Sequence, residues 1–180
     1  MKKFKLALIG DLYRYQSSFL KALFVSPGFR FCVYFRLSQS FSIINPLGLV
    51  GRILLKITKV KYGFQIPHRT KIGYGFYIGH FGNIVINQKV ILGNNCNIAQ
   101  GVTIGEVNRG IKKGTPVIGN QVWIGANSVI VGNIKIGDNV LIAPLAFVNF
   151  DIPDDAVVSG NPAKIINYKG SKNYINNIVK

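Results

Sequence analysis

Ile118-Gly-Asn-Gln-Val-Trp-Ile124-Gly-Ala-Asn-Ser-Val-Ile130-Val-Gly-Asn-Ile-Lys-Ile136-Gly-Asp-Asn-Val-Leu-Ile142-Ala-Pro-Leu-Ala-Phe-Val148 is the stretch that decides the fold. An aliphatic residue stands at every sixth position, and glycine follows it at Gly119, Gly125 and Gly137. Four residues after each aliphatic comes a small or β-branched one: Val122, Ser128, Ile134, Val140 and Ala146. A fixed short period marks units that cannot bury an apolar face alone and that stack into a continuous core. Six is neither the helical period nor the two-residue alternation of a strand. It fits a three-sided prism with one hexad on each flat side. The aliphatic points inward, and glycine or asparagine turns the corner where a positive φ is needed.

The frame extends towards the N-terminus through Ile72, Ile78 and Ile84, slips by two, and resumes at Ile86, Leu92, Ile98 and Ile104. A slip inside a strict repeat predicts a local bulge, and insertions in repeat proteins gather on one face. His80 lies four residues before that slip. A second break, Glu106 to Pro116, is polar and basic and is expected to project from the wall. The array stops at Phe150-Asp-Ile-Pro153, and Gly160-Asn-Pro-Ala-Lys164 leads into a tail. Three hexads per turn give roughly five turns, and strands about 4.8 Å apart make a prism about 20–25 Å tall.

The segment before Ile66 reads as helices. From Phe19 to Leu37 apolar residues are dense, broken at Pro27-Gly28. From Leu47 to Val60 the residues Leu49, Ile53, Leu54, Ile57 and Val60 recur at helical spacing among Arg52, Lys56, Lys59 and Lys61. The run Leu6-Ala-Leu-Ile9 is too short for a signal-peptide core. The longest uncharged run, Leu37 to Gly51, is too short and too broken to span a bilayer. The expected division is therefore a basic amphipathic helical segment over 1–65, a prism over 66–166, and a tail over 167–180.

Charge is uneven. The chain holds 22 Lys and Arg against 6 Asp and Glu, a net +16. Residues 1–71 hold 13 of the basic residues and one acid, Asp11. That excess implies an anionic surface or ligand nearby, such as membrane phosphate, an acidic glycan or a nucleotide. Cys32 and Cys96 make no disulfide framework, and Cys96 fills a small-residue slot of the repeat. With only His68 and His80 as histidines, no metal cluster is expected.

The period, together with Ile78-Gly-His80-Phe-Gly-Asn-Ile-Val-Ile86, Asn97-Ile-Ala-Gln-Gly-Val-Thr-Ile-Gly105, Val122-Trp-Ile-Gly-Ala-Asn127 and Gly160-Asn-Pro-Ala-Lys164, resembles the hexapeptide-repeat acyltransferases. The motifs are similar to those of the serine acetyltransferase branch, which includes many enzymes that O-acetylate sugars of surface polysaccharides. The resemblance implies a mainly β, left-handed parallel β-helix, homotrimeric, with sites between neighbouring prisms. It implies acetyl-CoA as donor, no metal, and direct attack by an acceptor hydroxyl. His80 matches the family's general base, a role worth about 10²–10⁴-fold. His68, after Pro67 at the first turn, reads as structural. Gly105, Gly125 and Ala126 match the wall along which the pantetheine lies, and Arg109 and Lys164 are cations for the CoA phosphates. Trp123 is expected to pack against a neighbouring subunit.

Three departures bear on the acceptor. The serine acetyltransferases of cysteine biosynthesis carry an aspartate where this chain has Gly79, a second histidine where it has Thr115, and an imidazole-orienting aspartate where it has Gln65. Gln65 could still orient His80 through a hydrogen bond. Gly79, Asn83 and Thr115 fall on the acceptor side. Without a carboxylate at position 79 a serine ammonium lacks an evident partner, and specific sites reject substrates that leave charge unpaired. The expectation is therefore an acetyl-CoA-dependent sugar O-acetyltransferase acting on a capsule, O-antigen or exopolysaccharide unit. The chain would be cytoplasmic, with peripheral contact to the anionic inner membrane surface and no nucleic-acid partner. Serine O-acetylation is the alternative, and a non-catalytic scaffold or a metal-dependent member of the fold are the remaining rivals.

Overall fold

The computed structural model describes residues 2–179. Four helices come first: α1 (Lys2–Arg14), α2 (Phe19–Val25), α3 (Pro27–Ser40) and α4 (Pro46–Tyr62). Two begin on the same device. Ser26 and Asn45 cap α3 and α4, accepting hydrogen bonds from Phe29 N and Leu47 N, and proline follows each cap. Proline suits the first helical position because its missing N–H would be unpaired there anyway.

The chain then winds as a prism. The first coil holds β1 (Phe64–Gln65), β2 (Lys71–Ile72) and β3 (Tyr77–Ile78), and the second β4 (Ile84–Ile86), β5 (Ile91–Leu92) and β6 (Asn97–Ile98). The third holds β7 (Thr103–Gly105), β8 (Val117–Ile118) and β9 (Trp123–Ile124), and the fourth β10 (Val129–Val131), β11 (Lys135–Ile136) and β12 (Leu141–Ile142). A fifth contributes β13 (Phe147–Val148) and β14 (Val157–Ser159), and β15 (Lys164–Asn167) turns back antiparallel on β14. The strands form three walls, ordered β1-β4-β7-β10-β13, β11-β8-β5-β2 and β15-β14-β12-β9-β6-β3. This wrap is consistent with the left-handed coil that the resemblance implies.

Register turns the sequence slips into geometry. Val129 pairs with Phe147, which stands three hexads further on. Gln65 pairs with Val85, two positions beyond three hexads. Ile91 pairs with Val117, eight positions beyond three hexads. The first coil thus carries two extra residues and the third carries eight. The two fall between Ile78 and Ile86, the corner that holds His80, and both Ile84 and Ile86 point inward. The eight form the loop after β7, pinched by a bridge between Val107 and Gly114 and exposed from Asn108 to Lys113.

The sixth-position aliphatics are all buried, and so are Val122, Ser128, Ile134, Val140 and Ala146 in the slots between them. Cys96 is buried in the same row, and its thiol is pushed up to about 12 by desolvation. Glycine or asparagine does turn corners with positive φ at Gly75, Asn95, Gly101, Asn127 and Asn139, joined by Gln121, Leu145 and Asp155, while Gly119, Gly125 and Gly137 are not among the positive-φ positions. These three glycines serve the stack instead. A Cβ on any of them would collide with the backbone of the following coil.

The helical segment meets the first coil through aromatic packing, Phe31 on Phe64 and Phe76, and through charge. Arg36 Nε and Nη2 donate to Asp11 at 2.8 and 3.1 Å, with both side chains buried. Asp11 also accepts from Phe76 N at 2.9 Å, and Arg36 Nη1 donates to the Ile72 carbonyl at 2.8 Å. The one acid of residues 1–71 is therefore spent on locking α1 and α3 to the prism.

Candidate active site

The enlarged corner between β3 and β4 exposes Gly79 and His80. Both line a cavity of about 500 Å³. Its floor is one wall of the prism across three coils: Tyr77, then Asn97 with Ala99, then Trp123. Its upper side is the end of α1, with Arg14, Tyr15 and Gln16. Its outer side is the C-terminal segment, with Tyr174, Asn176 and Asn177.

That segment is held in place. Ser171 Oγ donates to the Gln121 carbonyl at 2.8 Å, and Tyr174 sits edge-on to Trp123 with ring centres 5.0 Å apart. Val179 and Asn95 exchange two hydrogen bonds, at 3.0 and 3.1 Å. Gln16 Nε2 donates to Asn177 Oδ1 at 2.5 Å, joining the α1 end to the tail.

Arg14 is the electrostatic centre of the cavity. It is 5% exposed, and burial lowers its guanidinium from the ordinary value. Its Nε donates to the Asn176 carbonyl at 2.9 Å, Nη1 to the Gly75 carbonyl at 2.9 Å, and Nη2 to Asn97 Oδ1 at 2.6 Å. Tyr77 lies beneath it, 5.8 Å from ring centre to guanidinium carbon. Among the described residues the ion pairs are Asp11–Arg36 and Lys89–Glu106, so Arg14 faces neutral acceptors only. Three bonds use three of its five N–H groups. A buried cation without a carboxylate, beside an open cavity, has the charge to hold an anion there.

The sequence-derived site residues divide by wall. Gly79 and His80 share the cavity. Gly125 and Ala126 lie at the equivalent corner two coils further, before β10 as His80 lies before β4. Gly125 is buried there, and a Cβ would lie 2.5 Å from Pro144 N, so packing alone requires glycine. Gln65 and Gly105 stand on the neighbouring wall, in β1 and β7. Asn83 is exposed at the foot of that wall, its Oδ1 close to Gly63. Arg109 and Thr115 belong to the projecting loop, and Lys164 begins β15. Within one chain, Gln65, Asn83, Gly105, Arg109, Thr115 and Lys164 do not reach the cavity. Trp123, expected to face a neighbouring subunit, packs on Tyr174 of its own chain and lines the cavity.

Sequence reasoning missed Arg14 and the tail. Arg14 could have been flagged as a charge ending an apolar helix. Asn173-Tyr-Ile-Asn-Asn177 carries no period and gave no signal.

Residues 115–149 match the sequence model of the family described as "Bacterial transferase hexapeptide (six repeats)". A serine acetyltransferase of Synechococcus elongatus is 33% identical over 151 residues, 84% of this chain, and the chain spans 62% of that relative's length. The soybean serine acetyltransferase apoenzyme superposes with a TM-score of 0.78 at 25% identity, covering 92% of this chain and 70% of its own. The Neisseria gonorrhoeae serine acetyltransferase in complex with serine does so at 0.72 and 29%, covering 91% and 69%. The prism thus shares its fold with these proteins, and one stretch of it matches the hexapeptide transferase model. More particularly, these relatives are serine acetyltransferases.

That finding overturns the expectation of a polysaccharide O-acetyltransferase and favours the alternative. The expectation rested on the departures at Gly79, Thr115 and Gln65, and its argument against a serine ammonium on the carboxylate missing at position 79. Gly79 is built against an aromatic ring, since a Cβ there would lie 3.1 Å from Tyr77 Cε1. An ammonium can be held by aromatic faces as well as by a carboxylate, and Tyr77, Tyr15, Tyr174 and Trp123 all border the cavity. The acid absent at position 79 was therefore weak ground for leaving a serine ammonium without a partner.

Proposed function

We propose that the chain is a serine O-acetyltransferase using acetyl-CoA as donor. The observation that carries this is the cavity: His80 at its mouth and Arg14, without a carboxylate partner, at its side. Serine brings a carboxylate for Arg14, an ammonium for the aromatic rim, and a hydroxyl for His80. The imidazole takes the hydroxyl proton as the oxygen attacks the thioester carbonyl. The C–S bond then breaks, the acetyl group stays on serine, and the CoA sulfur takes the proton back from the imidazolium. Donor binding is expected along the corner that continues from His80 to Gly125 and Ala126, with Arg109 and Lys164 for phosphate groups. Those two cations lie away from the cavity of their own chain, which supports a homotrimer whose sites are completed across prisms.

The test is release of free CoA from acetyl-CoA with and without L-serine. Serine-dependent release is expected, and its absence would sink the reading. His80→Ala should lower turnover about 10²–10⁴-fold. Arg14→Gln should raise KM for serine on the order of 10–100-fold, the worth of a charge-assisted hydrogen bond, and leave KM for acetyl-CoA almost unchanged. Equal changes in both constants would mean that Arg14 holds structure and not substrate.

A further inference from the structure

Helix α4 is apolar on two opposite faces. Its buried positions are Gly48, Gly51, Leu55 and Thr58, which share one face at 3.6 residues per turn. That face closes on α3, where a Cβ on Gly51 would lie 2.7 Å from Leu37 Cβ. The face turned away carries Leu49, Ile53, Ile57 and Val60, exposed at 44%, 52%, 52% and 83%. A helix normally turns one apolar stripe to the core and polar residues outward, so a second apolar stripe on the outside calls for a cover of its own. Ile44, just before α4, is 91% exposed and extends the apolar surface. On the helical projection Lys56 borders the outer stripe on one side and Lys61 on the other, with Lys59 on the flank beyond Lys56, and all three are exposed. Lysines so placed can run their stems along an apolar layer and keep their charges at its edge.

Charge selects the occupant. A second copy would set these lysines against their own counterparts. It would do so within a segment of 13 basic residues whose one acid is already buried against Arg36. An anionic lipid surface satisfies the stripe and the lysines together. Among the described residues no helix is long and apolar enough to cross a membrane, so α4 would lie in the plane of the interface.

We propose that α4 docks this chain onto an anionic membrane surface, with Leu49, Ile53, Ile57 and Val60 entering the acyl boundary and Lys56, Lys59 and Lys61 meeting lipid phosphates. The inference does not depend on which hydroxyl accepts the acetyl group. The test is co-sedimentation of the full chain, at low salt, with vesicles of phosphatidylcholine alone and of phosphatidylcholine mixed with phosphatidylglycerol. Binding to the mixed vesicles only is expected. Ile53→Glu with Ile57→Glu should abolish it. Lys56→Gln, Lys59→Gln and Lys61→Gln should each weaken it roughly fivefold. A circular-dichroism melt confirms that each variant folds. Failure of the wild-type chain to bind mixed vesicles would overturn the proposal, and so would undiminished binding by the double glutamate variant. Sedimentation velocity without lipid gives a further arm. If the wild-type assembly is larger than that of the double glutamate variant, the face joins copies of the chain and the lipid proposal falls.

Discussion

Along one wall of the prism Ile72, Leu92, Ile118 and Ile136 stack in register with no polar group between them. The helical segment meets the same prism through Asp11, Arg36 and Arg14, whose bonds reach Phe76, Ile72 and Gly75. The two regions bury comparable residues by opposite rules. In the stack each layer touches only its neighbours, so stability accumulates layer by layer and any aliphatic of the right size serves. At the junction a buried ion pair and a few directed bonds are set into the packing of Phe31 on Phe64 and Phe76, and no neighbour can substitute for a missing charge. The prism is therefore legible and tolerant, while the junction is specific and brittle.

Four measurements bear on that contrast. The largest effect is expected at the junction. Asp11→Ala strands the buried Arg36 guanidinium and should cost about 3–5 kcal/mol in urea unfolding, and a loss no larger than a surface mutation's would mean that the pair does not anchor the helices. In the stack, Ile124→Ala should cost about 2–5 kcal/mol and Ile124→Val about 0.5–1.5 kcal/mol, and equal costs would show that the layers do not pack as tightly as their burial implies. Cys96 offers a smaller handle. Its thiol is raised to about 12 by burial, so ionisation favours the unfolded chain, and stability should fall as pH climbs from the ordinary thiol range towards that value. Maleimide at roughly pH 8.5, where a free thiol is half ionised, should leave the native protein unlabelled, and rapid labelling would reveal an open coil. The smallest effect belongs to the outside of α2. Phe24 is exposed, and Phe24→Ser should move stability by no more than about 0.5 kcal/mol, so a larger loss would place a partner over that helix.

Period carried most of what the sequence revealed. Ile118 to Val148 announced the walls, and the slip near Ile84 located the enlarged corner of His80. What stayed hidden has no period. The spacing of Leu49, Ile53, Ile57 and Val60 does not say which way the stripe faces, and α4 packs through Gly48, Gly51, Leu55 and Thr58 while that stripe stays outside. Spacing says that a helix has a stripe, and only the shape of its neighbour says which stripe is inside. The first helix and the tail meet from opposite ends of the chain, Arg14 binding Asn176 and Tyr174 covering Trp123. Nothing local could declare that encounter. The acceptor was misjudged for a related reason. Missing residue types were read position by position at Gly79, Thr115 and Gln65, while the cavity is built from three separated parts of the chain.

The joining of α1 to the last residues has a consequence in time. A prism can grow as the chain leaves the ribosome, each coil settling on the one before it. The cavity cannot. Its floor exists once Trp123 has emerged, but its outer side waits for Tyr174, Asn176 and Asn177. A nascent chain halted at the fifth coil would thus be folded and unable to enclose a substrate. Competence arrives with the closing stitch and not with the fabric.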